Sequence, residues 1–413
     1  MAIMPKNPEK NLIFALDIGT SKIAALVGEV CQDNQIEIIG FGIHPSCGLK
    51  RGVVVNIEST VQSIQRAVEE AELMAGCEIR STYTGIAGSH IRSLNSHGIV
   101  AIRNREVNQS DVDRVIDAAK AVAIPADQKI LHILTQEFII DNQEGVHEPV
   151  GMSGVRLEAK VHIVTGAVSA TQNITKCVRR CGLQVGDIVL EQLASSHSVL
   201  TNDEKELGVC MVDIGGGTTD IAIFTEGAIR HTHVIPIAGD HVTNDVAVAL
   251  RTPTQYAEKI KIKHASALPE EVDPEEIIQV SSVAKRPSKQ VQRRALAQVV
   301  AARYEELFEL VLAELQRSGF ENLITAGVVL TGGASRIPGC IELCERIFQM
   351  PVRLGFPQYV NGLADVRDNP IYATAVGLLI HGHQNPINNR PTFYLDRSLS
   401  LWQRMKSWFQ GNF

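Results

Sequence analysis

The sequence predicts an α/β fold made of two related lobes, and a duplicated hairpin is the main observation behind this prediction. The segments LIFALDIGTSKIAALV and GVCMVDIGGGTTDIAIF each join two apolar runs through Asp-Ile-Gly, as two buried strands around a tight turn do. The copies lie nearly 200 residues apart, too far for a repeat of about 20–50 residues. Helical and strand patterns alternate between them, so each copy opens an α/β domain. A length of 413 residues accommodates two such domains.

Composition and charge exclude several classes of protein. The chain is 45% hydrophobic and 21% charged, close to the average for globular domains. Its net charge of -7 and the absence of a basic region give no sign of a nucleic-acid partner. The sequence has no run of the roughly 20 apolar residues that a membrane-spanning helix needs. Residues 1–10 lack the apolar core of a secretory signal, so we expect a reducing cytoplasm.

Eight cysteines include two pairs, Cys177/Cys181 and Cys340/Cys344, that lie one helical turn apart. Such a pair can bind a metal ion when further ligands are near, but no His or third Cys stands at ligand spacing from either pair. Burial as small packing residues is the favoured interpretation.

The first loop, DIGTSK, has the residue types of a phosphate site. A glycine turn at Gly19 lets backbone N–H groups approach phosphate oxygens, Thr20 and Ser21 add hydroxyl donors, and Lys22 adds positive charge. Asp17 precedes the turn and is a candidate ligand for Mg²⁺, usually through water. Taken alone, the segment fits a plain hairpin turn equally well.

The second loop, DIGGGTTD, gives a stronger signal. Three successive glycines are costly to order, and they are useful where a backbone must press against a triphosphate. Asp213 is the second metal candidate. The candidate phosphate-binding residues of this loop are Gly215, Gly216, Gly217, Thr218 and Thr219.

A third segment, TGGASRIPG, ends a predicted strand and opens a helix. Gly332, Gly333 and Ala334 would let a nucleoside or phosphate lie against the helix N-terminus. A simple strand-to-helix turn explains this short segment equally well on its own.

Together the three loops resemble, in order and spacing, the phosphate 1, phosphate 2 and adenosine motifs of the actin, sugar-kinase and heat-shock-chaperone superfamily. The sequence contains neither a Walker loop nor a Rossmann loop in strand-turn-helix context. The resemblance implies an actin-like two-lobed ATPase fold, built from duplicated ribonuclease-H-like domains, that binds ATP and Mg²⁺. With no arginine finger evident, we expect weak hydrolysis that acts as an assembly switch.

The same resemblance assigns roles to three further residues. LEQLASSHSVL resembles the connect 1 helix, which makes Glu191 the candidate that positions the attacking water. PIYATAVGLLI resembles connect 2. Glu258 and Lys261, in AEKIK, match the Glu-x-x-Lys that contacts adenosine in related chaperones, although a surface salt pair explains them equally well.

Residues 85–160 read as a small α+β subdomain inserted into the first half. Strands are predicted near 99–103, 130–140 and 155–163, with a helix over 110–122 that Pro125 stops. A further strand is predicted over 161–168. In the second half, the pattern predicts a long helix over 286–317.

The C-terminus combines a polar linker at 384–397 with an amphipathic helix at 398–413. At 100° per residue, an apolar arc faces one side, while Arg and Lys occupy the other. This pattern is typical of a helix lying in a membrane interface, although a terminal helix docked on a partner groove is an alternative. The candidate membrane-binding residues are Leu401, Trp402, Met405, Trp408 and Phe409.

The inserted subdomain and the terminal helix, added to the three loops, resemble the FtsA family of bacterial cell-division proteins over nearly the whole chain. That resemblance implies four subdomains, here called 1A, 1C, 2A and 2B. Subdomain 1A takes residues 10–84, 163–194 and 361–383; 1C takes 85–162; 2A takes 195–235 and 305–360; and 2B takes 236–304.

The family resemblance also implies partners. It implies actin-like filaments, tethering of the tubulin-like protein FtsZ to the inner membrane at the division septum, and contacts of 1C with later division proteins. Subdomain 2B receives the FtsZ C-terminal tail in the family, and a solvated basic face is the competing interpretation of its positive residues. The candidates are Arg286, Lys289, Arg293, Arg294 and Arg303.

Two alternatives come from the same superfamily. A sugar or acetate kinase would need a cluster of substrate-binding polar residues with an acidic base, and no such cluster is evident. A chaperone ATPase would need a substrate-binding domain after 381, where only a linker and one helix remain.

Overall fold

A computed structural model describes residues 11–280 and 288–386 of the chain. The first lobe begins with three antiparallel strands, a small hairpin, a helix and a parallel strand. These elements are β1 (Leu12–Ile18), β2 (Lys22–Val30), β3 (Ile36–Pro45), β4 (Leu49–Lys50), β5 (Val53–Val54), α1 (Ile57–Ala75) and β6 (Ser81–Ile86).

The insertion that follows β6 has its own sheet, with strand order β7-β10-β8-β9, and its own hydrophobic core under one helix. Its elements are β7 (Arg92–Ala101), α2 (Gln109–Lys120), β8 (Gln128–Ile140), β9 (Gln143–Val146) and β10 (Arg156–Ala167). The two strands predicted over 155–163 and 161–168 are wrong as separate strands, because β10 is continuous. It runs across the predicted 1C boundary at 162 and leads directly back into the first lobe.

The chain then completes the first lobe and forms the second. The returning elements are α3 (Val168–Arg180), β11 (Gln184–Leu190) and α4 (Glu191–Val199). The second lobe contains α5 (Asn202–Leu207), β12 (Val209–Ile214), β13 (Thr219–Thr225), β14 (Ala228–Ile235), α6 (Gly239–Leu250), α7 (Thr254–His264), β15 (Ile277–Val280), β16 (Lys289–Gln292), α8 (Arg293–Ser318), β17 (Val328–Thr331), α9 (Cys340–Phe348) and β18 (Val352–Leu354). The chain returns to the first lobe through β19 (Val360–Gly362), α10 (Ala364–Arg367) and α11 (Ala373–Gln384).

The two central sheets have the same topology. In the first lobe the order is β11-β6-β1-β2-β3, with β19 added at the edge, and in the second it is β18-β17-β12-β13-β14. Both place an antiparallel three-stranded meander beside two parallel strands. The predicted duplication is therefore confirmed by strand order as well as by sequence.

Local sequence explains why the first lobe folds this way. β1 is buried along its whole length, as strands covered on both faces are. Helix α1 buries one stripe that includes Val61, Ile64 and Val68, after an N-cap in which the Asn56 side chain accepts the Ser59 N–H. Gly76 ends the helix in the left-handed region, with φ 66°. Helices α1 and α3 cover one face of the sheet, and α4 and α11 cover the other.

Helices α4 and α11 connect the lobes and cross each other closely. Gly377 of α11 lies against the backbone of α4, since a Cβ on it would come within 1.8 Å of the Ala194 carbonyl oxygen. Such contact requires glycine, because no real side chain tolerates it. The crossing of these helices therefore fixes how the two lobes meet at the base of the cleft.

The insertion also touches the second lobe, at its edge strand β14. Ser93 Oγ donates to the Thr232 carbonyl at 3.0 Å, and Gln136 Nε2 donates to the Ile229 carbonyl at 2.9 Å. The buried His162 adds a contact of 2.9 Å between its Nε2 and Thr232 Oγ1. The edge of the second sheet is thus covered by side chains of the insertion.

The structure bears on the predicted long helix, on the cysteine pairs and on the absence of a membrane span. The helix predicted over 286–317 begins at Arg293, because the preceding residues Lys289–Gln292 pair as a strand with Ile277–Val280. Cys177, Cys340 and Cys344 are buried within the hydrophobic cores of the two lobes, as their packing interpretation expects. The terminal helix and nearly all of the predicted linker lie outside the described residues. In 11–280 and 288–386, no helix combines the length and the apolar character needed to cross a bilayer.

Candidate functional site

The turns of the two duplicated hairpins meet at the base of the cleft between the lobes. A Cβ on Gly216 would lie 2.8 Å from Ser21 Cβ, and one on Gly217 would lie 2.6 Å from Thr20 Oγ1. The glycines are therefore required by the close approach of the two loops. Between the loops lies a cavity lined by residues of both, by Gly332 and Gly333 of the third loop, and by β13, α4 and α11.

Four carboxylates line this cavity against one lysine among its lining residues. They are Asp17, Glu191, Asp213 and Asp220, and the lysine is Lys22. Asp17 and Asp213 end the first strands of their hairpins, and Glu191 begins the helix α4. The duplication and the α4 crossing thus place acids from both lobes in one cavity.

The side chain of Asp213 is held by both connecting helices. Its Oδ2 accepts the Ser195 hydroxyl of α4 at 2.6 Å and the Thr374 hydroxyl of α11 at 3.3 Å. A Cβ on Gly332 would lie 2.3 Å from its Oδ1, and Gly332 has φ 85°, a conformation that favours glycine. The carboxylate is therefore fixed in position by three parts of the chain.

Burial and mutual repulsion raise the pKa values of these acids. The pKa of Asp17 rises to about 6, because burial and Asp213 outweigh the nearby Lys22. The pKa of Asp220 rises to about 8, through burial and the charge of Asp213, against a hydrogen bond from Thr218. Burial and the neighbouring Asp17, Asp220 and Asp213 raise the pKa of Glu191 well above its usual value. Such a set is stabilised in its ionised form by a bound cation.

The donor set fits Mg²⁺. Carboxylate oxygens are the ligands this ion prefers, and Asp220 Oδ1 is buried without a hydrogen-bond partner in the described parts of the chain. Since buried polar atoms are normally paired, this oxygen has unused capacity for a cation or for water bound to it. Asp17, Asp213 and Asp220 are the residues that would hold the ion.

A second pocket continues from this cavity along the second lobe. Its lining includes Ser21, Gly239, Glu258, Lys261 and Ala334. It shares Lys22, Gly216 and Gly333 with the acidic cavity. One elongated ligand would fill the acidic cavity and this pocket together. Its charged end would lie between the glycine loops, and its less charged end would lie beside α7.

Glu258 and Lys261 lie together in this pocket as predicted, but they are more than a surface salt pair. Lys261 is buried, and its Nζ lies 2.7 Å from Glu258 Oε2. The same Nζ donates to the Gly239 carbonyl at 3.1 Å and to Thr243 Oγ1 at 2.8 Å. This network holds the first turn of α6 against α7 and leaves Glu258 facing the pocket.

The structure gathers nearly all the predicted nucleotide residues around these two pockets. Thr219 is the exception, since its hydroxyl donates to the Ile237 carbonyl at 2.7 Å and it does not line either pocket. Successive strand residues point to opposite sides, so Thr218 faces the cavity and Thr219 faces away. The residues placed at the pockets are Asp17, Gly19, Thr20, Ser21, Lys22, Glu191, Asp213, Gly215, Gly216, Gly217, Thr218, Glu258, Lys261, Gly332, Gly333 and Ala334.

Sequence reasoning missed several lining residues. Asp220 was detectable, because it lies two residues after Thr218 on the same strand face and pairs with Asp213 across the hairpin. Gly52 and Asp240 also line the pockets, and no motif marked them.

The sequence as a whole is similar to known cell-division proteins. A family model described as cell division protein FtsA matches residues 210–377, and one for the SHS2 domain inserted in FtsA matches 88–165. The cell division protein FtsA of Pseudomonas aeruginosa is 66% identical over 409 residues, covering 97% of this chain and 98% of that protein. The Escherichia coli K12 protein of that name is 46% identical over 420 residues, covering 99% and 100%.

The chain belongs to the FtsA family of cell-division proteins. The resemblance drawn from its motifs is thereby confirmed.

Solved structures agree on the fold of this FtsA-family chain. The PilM-PilN type IV pilus biogenesis complex aligns with a TM-score of 0.67 at 14% identity, covering 90% of this chain and 99% of that one. MreB5 of Spiroplasma citri bound to AMPPNP aligns with a TM-score of 0.56 at 16% identity, covering 91% and 97%. The predicted actin-like fold with an inserted subdomain is confirmed.

The residues predicted to receive a partner in 2B are mostly engaged within the chain. Arg293 donates to the His264 carbonyl and pairs with Glu276 at 2.8 Å. Arg294 donates to the Val272 carbonyl, and Arg303 pairs with Asp245 at 2.6 Å. Lys289 lies on β16, and Arg286 lies outside the described residues.

Asp220→Asn should stabilise the protein at high pH when nucleotide and metal are absent. The folded protein binds the Asp220 proton more tightly than the unfolded chain does, so raising the pH from about 4 to about 8 costs stability. Asparagine does not ionise, and we expect an advantage on the order of 5 kcal/mol at pH 8 that disappears near pH 4. Urea unfolding in EDTA at both pH values measures it. Asp117→Asn, at an exposed ion pair, is the control; a pH-independent difference for Asp220→Asn would contradict the burial argument.

Proposed function

We propose that this FtsA-family chain binds Mg-ATP between its lobes, polymerises on the cytoplasmic side of the inner membrane, and anchors FtsZ to it. The observation that carries the nucleotide part is the acidic cavity between the paired glycine loops, continuous with the pocket at Glu258 and Lys261. Family membership supports the division role. MreB5 of similar fold has been solved with AMPPNP, which supports a nucleotide in this cleft.

Each part of the site has a task in this proposal. The backbone N–H groups of the two glycine loops and the Lys22 ammonium bind phosphate oxygens. Bound Mg²⁺ would neutralise charge on the phosphates. Asp17, Asp213 and Asp220 hold the cation, directly or through water, and Glu191 orients a water molecule toward the cavity. Glu258 and Lys261 bind the adenosine end.

We propose that ATP hydrolysis at this site switches filament assembly and does not supply a metabolic reaction. Among the described residues, Lys22 is the one lysine or arginine that lines the acidic cavity. Few positive groups there would stabilise developing negative charge, so we expect slow turnover. Asp213 accepts hydrogen bonds from both connecting helices, α4 and α11. A change of the bound nucleotide at Asp213 would therefore alter the angle between the lobes. That angle in turn sets whether neighbouring copies fit into a filament.

Asp213→Asn should weaken Mg-ATP binding at least tenfold, because it removes one charge from the cation site while retaining an acceptor for Ser195. Calorimetry measures the affinity, and electron microscopy on lipid monolayers with ATP should show filaments for the wild type only. Asp368→Asn, at an exposed ion pair, is the control. Unchanged ATP affinity in Asp213→Asn would overturn the proposed nucleotide site.

Membrane attachment is proposed for the amphipathic segment 398–413. One short helix binds a bilayer weakly, so several copies in a filament would add their affinities. Filament assembly would therefore strengthen membrane binding, and membrane binding would favour assembly. The inserted subdomain remains available for other division proteins, as the family suggests.

Deleting 399–413 should abolish co-sedimentation with liposomes that contain anionic lipid, while ATP affinity stays within twofold of the full chain. The reason is that Leu401, Trp402, Met405, Trp408 and Phe409 supply the apolar face. Gln403→Ala, on the polar face, is the matched control and should still pellet. A truncated protein that continues to pellet with vesicles would refute the assignment.

We propose that FtsZ binds to subdomain 2B, and the contacts of the candidate residues determine which substitution is the most useful test. Arg293, Arg294 and Arg303 have carboxylate or carbonyl partners within the chain, so their loss would act largely through stability. Lys289 lies half-buried on β16, which pairs with β15, so part of its side chain is open to a partner.

Lys289→Glu should lower affinity for a peptide of the FtsZ C-terminal tail several-fold, since it reverses one charge at the proposed interface. Fluorescence anisotropy of the labelled peptide measures it. Lys129→Glu, in the inserted subdomain, controls for net charge. Equal affinities for Lys289→Glu and the wild type would exclude Lys289 from the interface.

A further inference from the structure

A cluster of two histidines and one glutamate lies on the second lobe, outside both nucleotide pockets. His231 and His233 are two residues apart on the edge strand β14, so their side chains extend from the same face of the sheet. Glu314 reaches them from α8, which packs against that strand. The ligand atoms of the three side chains all lie within 4.8 Å of one another. Tertiary packing thus joins His231 to a residue 83 positions further along the chain.

Both imidazole rings direct a nitrogen at the same carboxylate oxygen. His231 Nε2 lies 2.7 Å from Glu314 Oε1, and His233 Nδ1 lies 3.3 Å from that oxygen. The two rings are nearly parallel, with an angle of 8° between their planes and 6.3 Å between their centroids. Arg317 Nη2 also donates to Oε1, at 2.6 Å. Three nitrogens therefore converge on one oxygen that has two lone pairs.

The arrangement has the ligands and the spacing of a zinc site. Imidazole nitrogen and carboxylate oxygen are ordinary ligands of Zn²⁺, and bonds of about 2.0–2.2 Å in a tetrahedral site place ligand atoms roughly 3.3–3.6 Å apart. The contact between His233 and Glu314 already has this spacing, and the one between His231 and Glu314 needs only a small side-chain rotation. A metal ion would replace the two hydrogens that face Oε1, and each ring would then carry its hydrogen on its other nitrogen.

The cluster is open to an ion from solvent on one side. The His233 side chain is 38% exposed, whereas that of Glu314 is 8% exposed, so the carboxylate lies beneath an accessible ring. Arg317 is 65% exposed, and its Nε donates to the other carboxylate oxygen, Oε2, at 2.8 Å. Arg317 can therefore give up Oε1 to a metal ion and keep its bond to Oε2, as the outer partners of ligating carboxylates do.

We propose that His231, His233 and Glu314 bind one Zn²⁺ ion, with water in the fourth position, and that the ion fastens α8 to the edge strand β14. This site goes beyond the proposed function and does not depend on nucleotide binding. Its imidazole ligands favour Zn²⁺, whereas the carboxylates of the acidic cavity favour Mg²⁺. Ser93 and Gln136 of the insertion donate to carbonyls of the same strand, so the ion would stiffen the strand that holds the insertion.

Calorimetry with Zn²⁺ on the full chain tests this, in excess Mg²⁺ that occupies the acidic cavity. The wild type should bind one Zn²⁺ ion. His231→Gln and His233→Gln should each weaken binding more than about tenfold, since loss of even an outer partner of a metal ligand costs about 10–100-fold. His97→Gln is the matched control and should leave the affinity unchanged, because His97 forms a histidine–carboxylate pair with Glu158 in the inserted subdomain. His233→Gln alters the more exposed ring and keeps the test valid if His231→Gln does not fold.

Arg317→Gln separates a metal site from a hydrogen-bonded network. Glutamine removes the positive charge that competes for Oε1 but keeps an amide donor for Oε2, so Zn²⁺ should bind several-fold more tightly. If this variant binds the ion no more tightly than the wild type, the ion is not held by Glu314 Oε1 and the proposed site is wrong. Equal Zn²⁺ affinities in the wild type and both histidine variants, or a wild type that binds no Zn²⁺, would also overturn it.

Co²⁺ in place of Zn²⁺ distinguishes the cluster from the eight cysteines of the chain. A thiolate ligand adds an intense charge-transfer band to the Co²⁺ spectrum, and imidazole and carboxylate ligands do not. The wild type should show the visible absorption of bound Co²⁺ without the thiolate band, and His231→Gln should lose that absorption. A thiolate band that persists in His231→Gln would assign the ion to cysteine and overturn the proposal.

Discussion

The close approach of two backbone turns across the cleft is the constraint on which the rest of the site depends. Gly216 and Gly217 contact Ser21 and Thr20 at distances that leave no space for a Cβ. Because the turns are this close, the strands behind them end together, and their terminal aspartates share one cavity. Burial and repulsion among these acids raise their pKa values, and a bound cation would stabilise their ionised forms. The geometry of the loops thus creates the electrostatics of the site.

Asp213 links the acidic cavity to the packing of helices α4 and α11. Ser195 and Thr374, from the two helices that join the lobes, both donate to its carboxylate. A cation at Asp213 would draw on the carboxylate whose Oδ2 accepts both hydroxyls, which would couple binding at the site to packing at the helix crossing. The Gly377 contact with Ala194 makes that crossing rigid, which favours movement of whole lobes over local adjustment.

Much of the fold was predictable, because a duplicated hairpin and three glycine loops are local patterns. Residues whose role depends on distant partners were not. Ser93, for example, donates to the carbonyl of Thr232, which lies 139 residues further along the chain, and neither residue belongs to a motif. The start of α8 was misplaced because Lys289–Gln292 pair with Ile277–Val280, and tertiary pairing overrode a continuous helical pattern. Thr219 was predicted beside Thr218 but lies outside both pockets, since the alternation of strand faces separates the two residues.

The inserted subdomain follows β6 of the first lobe in the chain, but its side chains form hydrogen bonds with β14 of the second lobe. Ser93 and Gln136 donate to carbonyls of β14 in the second lobe. A change in the angle between the lobes must either break these bonds or carry the insertion with the second lobe. Breaking them would exchange each bond for one to water, at a net cost of about 0.5–1.5 kcal/mol per bond. These bonds therefore oppose any opening of the lobes that would separate the insertion from β14.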